Sequence, residues 1–83
     1  MVMKTIWKYE LQLDDFSIVM PMGSKIITVE NGFLWAIVDP DNEDESREFA
    51  VHGTGHPITH QNSKEYVGTW FEGPFVWHLF EVK

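Results

Sequence analysis

The chain has 83 residues, 13 acidic against six basic, for a net charge of −7, and it contains no cysteine. That composition excludes a disulfide framework and a thiolate zinc site, and it argues against direct nucleic-acid binding, which depends on Lys and Arg displacing counterions from phosphates. No run approaches the roughly 18 apolar residues of a membrane span, and the first residues lack the basic and apolar regions of a secretion signal, so one soluble domain over 1–83, with no membrane partner, is expected in the cytoplasm.

From Lys4 to Leu13 the chain alternates, with Thr5, Trp7, Tyr9, Leu11 and Leu13 on one face and Lys4, Lys8, Glu10 and Gln12 on the other, the pattern of a half-buried strand. Asp14-Asp15 turns the chain into a second strand, Phe16 to Met20, which Pro21 stops before a Gly23-Ser24 corner. Lys25 to Glu30 is β-branched, and Asn31-Gly32 separates it from Phe33 to Val38. Asn-Gly between two such runs predicts a hairpin, because both residues tolerate the positive φ of a type I′ turn. Phe33, Trp35 and Ile37 alternate with Leu34, Ala36 and Val38, so this strand is expected to be central and covered on both faces.

Asp39 to Glu45 carries five carboxylates in seven residues, the composition of a solvated, mobile tip. A calcium loop is the sharper alternative, but the spaced Gly and bidentate Glu of an EF-hand are missing. Arg47, the only arginine, opens a strand to His52 in which Arg47, Phe49 and Val51 share one face and Glu48, Ala50 and His52 the other. A loop of about a dozen residues follows, a length that usually means function or mobility. Tyr66 to Phe71 is again a strand, where Gly68 predicts a bulge or a close backbone approach. Gly73-Pro74 then leads into Phe75 to Val82, a second doubly apolar strand expected to be central. No window has a helical period, so the fold class is all-β, a small antiparallel sandwich or barrel of about six to seven strands. A domain this small buries only roughly 60–65% of its unfolded surface, and four Trp, six Phe and two Tyr supply its core.

The stretch VHGTGHPITH, Val51 to His60, departs from the strand pattern. Its histidines, His52, His56 and His60, align as metal ligands only on a helix, which Gly53, Gly55 and Pro57 oppose, so no metal is assigned. Gly53-Thr54-Gly55-His56 fits a phosphate cradle better: glycine-rich turns aim successive N–H groups at an anion, Thr54 adds a hydroxyl, and Arg47, His52 and His56 add charge. The plain alternative is a strand-ending turn with a hydrogen-bonded Thr54 and exposed histidines. Trp35 and Trp77 read as core, whereas Trp7 and Trp70 are the candidate ring-stacking contacts for a base. No nucleophile elbow or paired buried carboxylates appear. His56 or His78 would serve as a general base in principle, but neither an enzyme nor a cofactor is expected.

KTIWKYEL, the Met-Pro-x-Gly corner before KII.V, NGFLWAIVDP, REFAVHGTGHPI, EYVGTW and FVWHLFE together resemble a family of short proteins encoded in bacteriophage and prophage genomes. The resemblance implies an accessory protein acting in the cytoplasm of an infected bacterium, of a kind often used in counter-defence, and it brings no catalytic residues. Two function classes follow, beside a third, bland one, a structural or regulatory phage component with no small ligand. One is an oligomeric sponge that sequesters a nucleotide-derived immune signal through the Gly-Thr-Gly-His loop. The other is an acidic inhibitor that binds a host protein directly, steered to a basic groove by its field; ordinary solubility is the bland reading of the same charge. Homo-oligomerisation is expected in either case, because a thin core and exposed sheet edges favour a symmetric partner.

Overall fold

The computed structural model describes residues 3–83; Met1 and Val2, counted within the expected domain, lie outside the described residues. Seven strands run through it: β1 (Thr5–Glu10), β2 (Phe16–Pro21), β3 (Lys25–Glu30), β4 (Phe33–Val38), β5 (Asp44–Gly53), β6 (Lys64–Glu72) and β7 (Phe75–Val82), with a single 3-10 turn at Gln61–Ser63. They form two antiparallel sheets, one of order β1-β4-β3 and one of order β2-β5-β7-β6. The all-β expectation holds, and β4 and β7 occupy interior positions in their sheets as their doubly apolar sequences require. Among the described residues no helix is long and apolar enough to cross a membrane.

The β3–β4 hairpin turns at Asn31 and Gly32, whose φ values of 52° and 81° are both positive, the geometry of a type I′ connection. β1 pairs with β4 from Thr5↔Val38 to Glu10↔Phe33, and its run stops there, short of the expected Leu13, because the six-residue partner ends. The Leu11 N–H bonds the Gly32 carbonyl at 2.9 Å, which leaves Leu11 buried and Leu13 exposed.

Cross-strand partners share a face, so the registers sort every side chain. The core lies between the sheets and contains Leu34, Ala36 and Val38 of β4, Phe16, Ile18 and Met20 of β2, Phe49 of β5, Trp70 of β6 and Leu79 of β7. Phe16 stacks on Phe49 at 5.5 Å between ring centroids. At the seam between the sheets β3 lies against β6, where a Cβ placed on Gly68 would fall 2.9 Å from the Val29 Cβ. Gly68 also follows a register shift after Tyr66, so both of its expected roles, bulge and close approach, are realised.

Two expectations are corrected. Phe33, Trp35 and Ile37 point away from the core and are only half-buried, with no layer of the described residues above them; all seven strands are already used in the two sheets. The carboxylate-rich turn is solvent-exposed from Pro40 to Asp44, as expected, but it is tied down. Asp39 is buried and accepts the Asp41 N–H at 3.1 Å, the Asn42 side-chain amide bonds the Met22 carbonyl at 3.0 Å, and β5 begins within the run at Asp44.

A histidine pocket on the outer face of the four-stranded sheet

The β5–β7 register places His52 opposite His78 and Ala50 opposite Phe80. These side chains therefore project from the face turned away from the core. Around them His52, Gly53, Thr54, Gly55, His56, Ile58, His78 and Phe80 line a concavity of about 300 Å³. The suspect loop does come together with chemistry from elsewhere in the chain, although that chemistry is not the set expected from the sequence.

Gly53 to His56 is a tight turn. The His56 N–H donates to the Gly53 carbonyl at 3.0 Å, and Gly55 at its third position has φ 88°, as a type II turn requires. The Thr54 N–H donates to the Val76 carbonyl at 3.2 Å. With both amides engaged, the row of free N–H groups that defines an anion nest does not form, and the backbone phosphate cradle is corrected to the plain strand-ending turn. What Gly53 supplies is space: a Cβ there would lie 2.9 Å from the His56 ring and 3.2 Å from Trp77.

The polar capacity of the pocket lies in its side chains. The Thr54 hydroxyl bonds His78 Nε2 at 2.8 Å, His78 Nδ1 bonds the Thr69 hydroxyl at 2.9 Å, and that hydroxyl meets the Tyr66 hydroxyl at 2.6 Å. Both ring nitrogens of His78 thus have partners, which fixes the imidazole plane. His52 packs edge-on against Phe80 at 5.5 Å, and Tyr66 does so from the other side at 5.6 Å. Lys64 Nζ stands 3.3 Å from His52 Nε2, a contact that suits a neutral ring accepting from an ammonium.

Burial first, and then the neighbouring Lys64 charge, hold the His52 pKa below the ordinary histidine value. The sign follows: a depressed folded pKa favours the neutral ring, so the stability His52 contributes is present above the ordinary value and is lost as pH falls through the folded one. An NMR titration is expected to show His52 titrating below a free histidine, and Lys64→Ala to move it only part of the way back. Full recovery in that variant would assign the depression to charge instead of burial.

Arg47, Trp7 and Trp70 do not line the pocket. Arg47 is on the inner face, where Nε and Nη2 bond the two Glu81 carboxylate oxygens at 2.6 and 2.7 Å and Nη1 bonds the Ser24 carbonyl at 2.6 Å. Trp70 faces Trp77 across β6 and β7 and is 3% exposed in the core, so it presents no ring for stacking. Trp7 is exposed, but it belongs to the other sheet and pairs with Ala36 on the core-facing side of β1. Among the described residues no three His, Cys, Asp or Glu side chains gather to hold a metal ion, and His60 stands outside the pocket in a left-handed conformation, φ 54°. The sequence singles out His78 only as a general base in principle and Phe80 not at all, because only the strand register sets them beside His52.

A family model described as Domain of unknown function (DUF7352) matches residues 3–83, and the chain belongs to that family. No curated protein and no solved structure matches it.

Proposed function

We propose that this member of the DUF7352 family is a binding protein that takes a small, anionic, ring-bearing ligand, of the nucleotide-derived kind, into the histidine pocket and withdraws it from solution. The observation that carries the reading is the lining itself. Three histidines, with Lys64 at the rim, and the Thr54 hydroxyl stand beside the apolar Phe80 and Ile58, on a protein whose overall net charge is −7. Phosphate is held here by side chains, with His52, His56 and Lys64 as donors, and the ring lies against Phe80. A volume of about 300 Å³ is at the small end of ligand pockets, which favours a mononucleotide or an ADP-ribose fragment over a larger cyclic dinucleotide. The phage and prophage resemblance suggests the setting, counter-defence in the infected host's cytoplasm.

A thermal screen against cyclic nucleotides, nucleoside monophosphates and ADP-ribose derivatives tests the reading. Ligand at about a hundred times its dissociation constant stabilises the fold by roughly 2.7 kcal/mol, and each kcal/mol moves the midpoint by about 4–8 °C in a domain of this size. Gly55→Val is expected to abolish the shift, because a β-branched residue resists φ 88° and reshapes the turn that carries Thr54 and His56. The unliganded fold is expected to persist, since Gly55 is exposed with nothing within 4 Å of its Cβ position. The second reading, an acidic inhibitor of a host protein, is favoured by the exposed carboxylates Asp41, Glu43, Asp44 and Glu48 along one strand and its approach. It replaces the first if no nucleotide raises the midpoint while a host protein co-purifies and is released by salt, the behaviour of a screened charge contact.

A further inference from the structure

The outer face of the three-stranded sheet, remote from the histidine pocket, is apolar, uncovered by the described residues and charged with opposite signs at its two ends. Phe33, Trp35 and Ile37 of β4 run down its centre, half-buried, with Phe33 edge-on to Trp35 at 6.0 Å. Ile6 flanks them from β1 at 55% exposure, and Thr28 of β3, just past a register shift, pairs with Trp35 on the same face. Lys25 pairs with Ile37 and Glu30 with Phe33 on one side, and Glu10 pairs with Phe33 on the other. The Ile37 end therefore carries Lys25, with Lys4 beside it in the same surface recess, and the Phe33 end carries Glu10 and Glu30. None of these four makes an ion pair among the described residues. Lys8, in the middle row, is turned over the Phe33 ring at 4.6 Å.

We propose that this face is the site of a homodimer in which two copies stack sheet to sheet about a two-fold axis lying across the strands. That operation reverses the strand direction between copies and keeps each strand over its equivalent. It sets Lys25 of one copy over Glu30 of the second, and the reverse, while Trp35 meets Trp35 at the axis and Phe33 meets Ile37. The axis parallel to the strands would instead place Lys25 on the Lys25 end and Glu30 on the Glu30 end, so the charges select one of the two face-to-face arrangements. A second copy is the occupant this face fits, because the reversal sets each positive end on a negative one, while Lys8, whose row falls on the axis, leans over Phe33 and so away from its equivalent. Three strands of six residues cover roughly 20 by 14 Å, small beside a standard protein interface, so the dimer is weak and its population depends on concentration.

Sedimentation equilibrium from micromolar to sub-millimolar concentration tests this. Wild type is expected to pass from monomer to dimer, and Trp35→Glu to stay monomeric throughout. Lys25→Glu and Glu30→Lys are each expected to weaken the dimer about tenfold or more, and the double reversal to restore it to within about threefold of wild type. The two residues sit five positions apart on one strand, roughly 16 Å, so rescue reports pairing between copies and not within one. A monomer at every concentration overturns the proposal, as does a dimer that survives Trp35→Glu, which would place the contact on a sheet edge or another face. A double reversal no tighter than the single ones overturns the pairing. The reversals lie on exposed positions, so they decide the matter even if Trp35→Glu fails to fold.

Discussion

Arg47→Ala is expected to lower the melting midpoint by roughly 10–20 °C, a loss of about 2–3 kcal/mol. The guanidinium is only 16% exposed and clasps both oxygens of Glu81, itself 11% exposed, while its remaining nitrogen holds the Ser24 carbonyl. The contacts connect β5 to β7 and reach the corner from which β3 departs, so one side chain spans the sheets. Removing it leaves a shielded carboxylate whose remaining cationic neighbour is Lys83, at 3.7 Å and 54% exposed. That partial replacement keeps the cost below the upper end for a buried pair. Replacing both partners by apolar residues, Arg47→Met with Glu81→Leu, is expected to return most of the stability, since neither charge then needs a partner. The pH dependence follows in sign. Hydrogen bonding from Arg47 holds the Glu81 pKa below the usual carboxylate value, so the pair's contribution is present above the unfolded-state value and is lost as pH falls through the folded one. Arg47→Ala is expected to lose stability less steeply than wild type as pH falls below about 4. A variant melting within a few degrees of wild type, with an unchanged acid limb, would mean that the clasp is not what joins the sheets.

Local chemistry made parts of this structure legible. Asn31-Gly32 demands a particular turn, and Gly68 within a strand demands either a bulge or a near neighbour; each signal acts over a few residues and depends little on the rest of the fold. Which face of a strand is inward is what the residues alone say least about. Alternation in β4, apolar on both faces, and in the glycine-containing β6 shows that faces exist without showing which is inward, so Trp35, expected in the core, is outside, and Trp70, expected as a stacking contact, is core. Arg47 was correctly placed on the face of Phe49 and Val51, yet its use could not be read, because its carboxylate partner is 34 residues away and is set by the β5–β7 register. The same register assembles the pocket. The turn is visible in Gly53 and Gly55, and with it the His56 amide bond to Gly53, but His78 and Phe80 become neighbours of His52 only when two strands align, and the Thr54 amide is engaged by the Val76 carbonyl, which no spacing rule names.

The seam between the sheets supplies the other large effect. Gly68→Ala is expected to destabilise the protein by about 2 kcal/mol. A glycine in an ordinary strand is weakening, and alanine in its place would be favoured by roughly 0.5–1 kcal/mol through backbone entropy; the sign here is set by contact. The added Cβ would stand 2.9 Å from the Val29 Cβ and 3.0 Å from its Cγ2. A Cβ cannot rotate away as a flexible side-chain end can, so β3 and β6 must part. Their separation pulls on Leu34, which pairs with Val29 at the core face of β4 and is fully buried. Gly68→Val, with two further carbons at the same point, is expected to cost more. Val29→Ala removes the Cγ2 contact and leaves the Cβ contact, so it should rescue Gly68→Ala only partly, with a coupling on the order of 0.5–1 kcal/mol in a double-mutant cycle. Denaturant melts of the four proteins measure this directly. Additive losses, or a Gly68→Ala variant as stable as wild type, would show that the seam is loose enough to admit a methyl group and that the two sheets are not locked at this point.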